Sequence, residues 1–281
     1  MQTSTRRARI PSANAKRRTS SSTVSLVFAY AGVALCAVLV SILAAAQTPD
    51  AEALLAEADR LAWLKVWTKA EPLYTAAAHA FAGRGDKRNA LYAEINALRG
   101  QLPRLPVAEV SERLADHLED PLVVADDRLR LRTLVIKGET DQDLDPSLSE
   151  RSWTEALALA EKLGDAAWAN RARGELGLVA FLLGDTNSAV IRLGQAMKVA
   201  ESNGDVAALV RWLTLFGHGF VQLDRAEQAL GFYDRAFKLA ATVPELRFPV
   251  MTYLGKGNAL AKLGRTQVCP QSHASGLTRP G

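Results

Sequence analysis

Residues 164–203 read GDAAWANRARGELGLVAFLLGDTNSAVIRLGQAMKVAESN, and residues 204–244 read GDVAALVRWLTLFGHGFVQLDRAEQALGFYDRAFKLAATVP. The second stretch nearly repeats the first at a spacing of 40 residues: Gly164-Asp165 returns as Gly204-Asp205, Leu176-Gly177 as Phe216-Gly217, Leu183 as Leu223, Ala189 as Ala229 and Ala196 as Ala236. A fixed period of about 20–50 residues marks an array of stacked units, each too small to bury its apolar face alone. The chain is rich in Ala and Leu and only 6% aromatic, with Gly and Pro gathered between long apolar-periodic runs. That composition predicts an all-α fold.

The period extends outward from this pair. Gly85-Asp86 lies 79 residues before Gly164-Asp165, close to two periods, so the interval between them predicts two further helix pairs. One pairs Lys87–Gly100 with Val107–Leu118; the other pairs Leu122–Gly138 with Ser147–Leu163 across an acidic connection, Glu139 to Pro146. Ahead of them, helical spacing predicts Ala51–Trp67 and Lys69–Ala82, with Pro72 in the first turn of the second helix. The expected units are 50–85, 86–121, 122–164, 165–204, 205–244 and a partial unit at 245–265. A second pattern tests this register. The second helix of four of these units carries a small, a large and a small residue at spacings of four and three: Ala70, Tyr74, Ala77; Ser149, Trp153, Ala156; Ala189, Leu193, Ala196; Ala229, Tyr233, Ala236. Such spacing puts all three on one helix face, where small residues admit a neighbour and the large one fills the gap.

The Leu176-Gly177 pair, Leu183-Gly184, Ala189, Leu193 and Ala196 resemble a tetratricopeptide repeat, as do Phe216-Gly217, Phe220, Ala229, Tyr233 and Ala236. The resemblance runs from about Asp50 to Arg265, most specifically over 165–244, and implies a right-handed α-solenoid of helix pairs with longer units than the common 34 residues. Gly177, Gly217 and Gly257, with Leu183, Leu223 and Leu263, form repeating columns that fit packing between helices. By the same resemblance, variable columns face a concave groove that holds a partner peptide or helix. Arg171, Arg211, Thr214, His218, Gln222, Asn258 and Lys262 would form a polar, mildly basic strip there. Reversing the charge at Arg211 and Lys262 is then expected to weaken partner binding without lowering the melting temperature.

Little in the sequence points to catalysis. His79, His117, His218 and His273 are scattered, and Cys36 and Cys269 form no metal-ligand spacing, so neither a metal nor a cofactor is expected. Gly255-Lys256-Gly257 lacks the glycine lead and the hydroxyl of a phosphate-binding loop. The net charge of +4 is concentrated: six of the 34 basic residues fall within the first 18 and no acidic residue does, which leaves the remainder slightly acidic. Nucleic acid is therefore not an expected partner.

The N-terminus predicts a location. A basic segment, residues 1–22, reads as disordered. Val24 to Ala46 then holds 23 residues without a charge, enough for a helix of roughly 34 Å against a hydrocarbon core of about 30 Å. The preceding positive charges place the N-terminus inside and the repeats outside the cytoplasm. A single-pass inner-membrane anchor and a signal peptide cleaved near Ala46 both fit this stretch. At the other end the pattern is lost: Cys269, His273 and Gly276 stand where small, large and small residues are due, and 266–281 reads as a disordered tail. Met251, Leu254, Leu260 and Leu263 then look ready to meet a partner helix. A membrane-tethered interaction scaffold is the expected function. A regulatory N-terminal fragment of a longer signalling or protease-like enzyme is the alternative.

Overall fold

The computed structural model describes residues 50–265, and every described element is helical. In chain order the helices are α1 (Ala51–Trp63), α2 (Trp67–Gly83), α3 (Lys87–Gln101), α4 (Val107–Leu118), α5 (Pro121–Ala125), α6 (Asp127–Asp141), α7 (Pro146–Lys162), α8 (Ala166–Leu182), α9 (Thr186–Asn203), α10 (Val206–Gln222), α11 (Ala226–Ala240) and α12 (Val250–Lys262), with a 3₁₀ turn at Pro244–Leu246. The expected segments at 1–22 and 24–46 and the tail at 266–281 lie outside the described residues, and so do Cys36, Cys269 and His273. No described helix is long and apolar enough to cross a membrane.

The Gly-Asp dipeptides explain why the chain turns where it does. Gly85, Gly164 and Gly204 adopt φ between 67° and 76°, a left-handed conformation that costs glycine little and stops the preceding helix. The following Asp then caps the next helix. Asp165 accepts from the backbone N–H of Trp168 at 3.0 Å and Asp205 from that of Ala208 at 3.2 Å. Gly184-Asp185 repeats the device between α8 and α9. At the corresponding turns α1–α2 and α10–α11, Lys65 and Asp224 take the left-handed position instead, at 62° and 59°.

Helices joined by these short turns pack on one another in sequence, and helices farther apart in the chain also meet: α3 and α4 with α6, α8 with α10, α10 with α12. The apolar core is a succession of local clusters. The small-large-small residues are all buried: Ala70, Tyr74, Ala77, Ser149, Trp153, Ala156, Ala189, Leu193, Ala196, Ala229, Tyr233 and Ala236. Three of the four large members abut a glycine on the neighbouring helix. A Cβ on Gly177 would lie 2.8 Å from Leu193, on Gly217 2.5 Å from Tyr233, and on Gly138 2.7 Å from Trp153. Close approach at these points requires the absence of a side chain.

Several expectations are corrected. Gly138 does not end its helix; it is the glycine facing Trp153, and α6 runs on to Asp141. Leu122 lies in the separate short helix α5, and Asp126 breaks the chain before capping α6. α1 stops at Trp63 and α2 begins at Trp67, which places Pro72 beyond the first turn. The carbonyl of Thr68 that Pro72 cannot bond belongs to an exposed residue, where water is at hand. Leu183 and Leu223 do not pack: they are the C-cap residues of α8 and α10 and stand 45% and 61% exposed. Leu263 is half-buried against the Ala229–Tyr233 cluster. A Cβ on Gly257 would meet nothing within 4 Å among the described residues, whereas one on Gly255 would run into Tyr233 and His218.

Candidate binding site at the first helix turn

The residues expected to form one open strip divide into three groups. Arg171 on α8 and Arg211 on α10 are each held by a carboxylate one helix away. Arg171 donates to both oxygens of Asp205 at 2.8 and 2.7 Å, and Arg211 to both oxygens of Glu175 at 2.8 Å. Arg171 also donates to the Trp63 carbonyl at 2.9 Å and lies 3.3 Å over the Trp63 ring. Thr214 is buried, donating to the Val210 carbonyl at 2.8 Å and meeting the Thr252 hydroxyl at 2.7 Å. Arg171 and Thr214 are therefore internal, and both guanidinium charges are already paired. Gln222, Asn258 and Lys262 are exposed, and Lys262 donates to Asp224 at 2.9 Å. His218 is half-buried 5.7 Å from the Tyr233 ring, and burial depresses its pKa against an opposing hydrogen bond at the Met251 backbone.

What fills the space in front of Arg171 and Arg211 is the chain's own first turn. α1 ends at Trp63, and the left-handed Lys65 brings Val66 N–H back to the Leu61 carbonyl at 2.9 Å. This geometry directs the Lys65 ammonium onto Glu139 of α6, with Glu175 of α8 at 4.0 Å. Arg99 of α3 reaches Glu139 from the other side at 3.4 Å. Burial raises the cost of the Glu139 charge, but Lys65 and Arg99 outweigh it and hold its pKa down to about 2. The Glu175 carboxyl is likewise lowered, burial being outweighed by Arg211 and Lys65, whereas burial dominates for Lys65 and lowers its pKa.

A second polar group ties α1 to the array farther back. Asp59 accepts from the hydroxyls of Tyr74 at 2.6 Å and Tyr92 at 2.9 Å, and Arg132 of α6 donates to Asn96 at 2.6 Å. Trp63 meets Trp168 edge-on at 5.1 Å, and Arg60 pairs with Glu245 at 2.7 Å. α1 and the turn after it thus touch residues from α2 to the segment after α11.

Two clefts include members of the expected strip. One, of about 590 Å³, lies between the turn at 64–68, α10 and residues 245–252, and includes Arg211, Thr214 and His218. Phe248, Val250 and Met251 on its border are 71%, 65% and 60% exposed. The other, of about 510 Å³, lies between α8, α9 and α10 and is lined mainly by Leu and Phe side chains, with His218 and Gln222 among its polar members. Among the described residues no group of His, Cys, Asp or Glu is arranged to hold a metal ion.

The chain matches no model of a known protein family and no curated protein.

The expected strip thus supplied Arg211, Thr214 and His218 to one cleft and His218 and Gln222 to the other, while Arg171, Asn258 and Lys262 lie in neither. Reading by columns missed Trp63, Lys65, Glu139 and Glu175. A usable signal existed for one of them: Glu175 is the sole acidic residue in the whole of α8, sitting between Gly174 and Leu176 where the core requires a small or apolar side chain. A charge in such a place implies a partner charge.

Proposed function

We propose that this chain is a tetratricopeptide-like, right-handed α-solenoid that works as a protein-interaction scaffold, tethered by residues 24–46 and presented outside the cytoplasm. The partner's peptide or helix would lie in the 590 Å³ cleft between the first turn, α10 and residues 245–252. The observation that carries this reading is the border of that cleft. Phe248, Val250 and Met251 are large apolar residues left in solvent next to the half-buried polar groups of Arg211 and His218. Apolar anchors around a few fixed polar groups are what peptide recognition uses, and clustered exposed apolar residues mark interaction sites.

The test compares co-purification of the full chain from solubilised membranes with that of a Phe248→Asp/Met251→Asp variant, read by quantitative mass spectrometry. Both side chains are exposed, so the fold should survive. The reading expects one or more proteins to be lost by at least about tenfold with this variant and retained with Leu223→Asp. An identical set in all three counts against the cleft. Recovery of the whole chain in the soluble fraction counts against the tether.

A further inference from the structure

Beside the partner cleft, with which it shares Lys65, Ala207 and Arg211, lies a second and much smaller space. It is bounded by Lys65, Arg171, Glu175, Arg211 and Trp212, with Ala207 and Ala208 closing it, and its volume is about 10 Å³. That is room for about one water-sized sphere. Carboxylates, phosphate and sulfate are too large for it.

We infer that this space is a binding site for one halide-sized monovalent anion, chloride being the physiological member of the class. Three observations lead there. The first is charge. Lys65, Arg99, Arg171 and Arg211 meet Glu139, Glu175 and Asp205, so the cluster holds one more cation than it has carboxylates; Asp143, the next carboxylate near Arg211, is exposed to solvent. The second is the kind of hydrogen bond on offer. An arginine has five N–H groups and a lysine three. Arg171 spends Nε, Nη1 and Nη2 on Asp205 and Trp63, and Arg211 spends Nε and Nη2 on Glu175 and Gln142, which leaves N–H groups over on both. The third is Trp212. It is 1% exposed and its indole N–H has no protein acceptor among the described residues. A buried donor without an acceptor is destabilising.

Water fits this lining less well than a halide does. Water must donate as well as accept, and Glu175 is the only acceptor side chain on the wall, against the donors of Lys65, Arg171, Arg211 and Trp212. A halide only accepts, and it balances the extra charge. The anion would then brace the junction of the first turn with α8 and α10.

The experiment follows thermal unfolding of the full chain at constant ionic strength while sodium gluconate is replaced by sodium chloride up to about 0.2 M. A ligand that binds only the folded state raises Tm in a saturating way. The expected result is a saturable rise reproduced by bromide, with broadening of the chloride NMR line. In Trp212→Phe, which keeps the ring and removes the N–H, the apparent affinity should fall at least about fivefold. If that variant does not fold, Lys65→Met takes its place. Equal Tm values in gluconate and chloride, a chloride effect the same size in the variant as in the parent chain, or no difference in line width between them would each overturn the site and leave a bridging water as its occupant.

Discussion

Lys65, at the end of the first helix, is ion-paired with Glu139, 74 residues farther along the chain. The Glu139 side chain is 5% exposed, and its other cationic neighbour, Arg99, stands at 3.4 Å. Removing one partner of a buried pair strands the other's charge, which costs more than the pair itself contributes. Lys65→Met is expected to lower stability by about 2–3 kcal/mol, below the full figure because Arg99 remains and Lys65 is partly exposed. Denaturant unfolding checks this. In a double-mutant cycle with Glu139→Gln, the second change should cost far less in the Lys65→Met background.

The same cluster makes stability depend on acid. The Glu139 carboxyl has its pKa depressed to about 2 in the folded chain, from an ordinary value of 4.5. A carboxyl with a depressed folded pKa stabilises the fold above its unfolded value, and the contribution is lost as pH falls through the folded one. Glu175 is lowered in the same direction. Stability should therefore fall between about pH 4.5 and pH 2, by roughly 3 kcal/mol from Glu139. The loss should be markedly smaller in Glu139→Gln, measured by unfolding across that range.

His218 works at a higher pH and in the same direction. Burial lowers its folded pKa below the ordinary 6.5, so the folded chain releases that proton and gains stability as pH rises towards 6.5. His218→Gln should flatten the pH dependence of Tm in this window and leave the acid limb near pH 4 unchanged.

Charge reversal at Arg211 should destabilise, unlike the outcome expected from the columns alone. Arg211→Glu places a carboxylate against Glu175, whose side chain is 4% exposed, and should cost about 3 kcal/mol or more. Lys262→Glu touches an exposed pair with Asp224 and should change stability by less than about 1 kcal/mol. Melting curves of the two single variants separate these cases.

Glycine substitutions separate contact from position. Gly217→Ala drives a methyl to 2.5 Å from Tyr233 and should destabilise by about 1–3 kcal/mol. Gly231, also helical, has nothing within 4 Å, so Gly231→Ala should add roughly 0.5–1 kcal/mol. A loss for both, or a gain for both, would contradict the helix contacts.

These contrasts also explain what could be read from residues alone. Helix class, the Gly-Asp turns and the small-large-small faces follow from forces acting within a few residues or between neighbouring helices, so periodicity exposes them. Gly177 and Gly217 fell into one column because the same neighbouring contact recurs, and Gly138 belongs with them at 39 residues' distance. Leu183 and Leu223 recur for another reason: they sit at helix ends, where repetition does not mean burial. The ties of Lys65 and Trp63 to α6 and α8 have no counterpart in the repeat. They occur once, join residues far apart in the chain and depend on how successive helix pairs turn, which no single unit encodes.

That unrepeated tie changes how such an array should unfold. Stacked repeats that touch only their neighbours melt piecemeal, with ends fraying independently of the middle. Here Arg171 holds the Trp63 carbonyl across 108 residues, and Arg60 meets Glu245 across 185. The first described helix, made before the helices it meets, thus waits for the segment after α11 before its last contact can form. Its docking is a late, long-loop event that couples the two ends of the described array, favouring one cooperative transition over a sequence of partial ones.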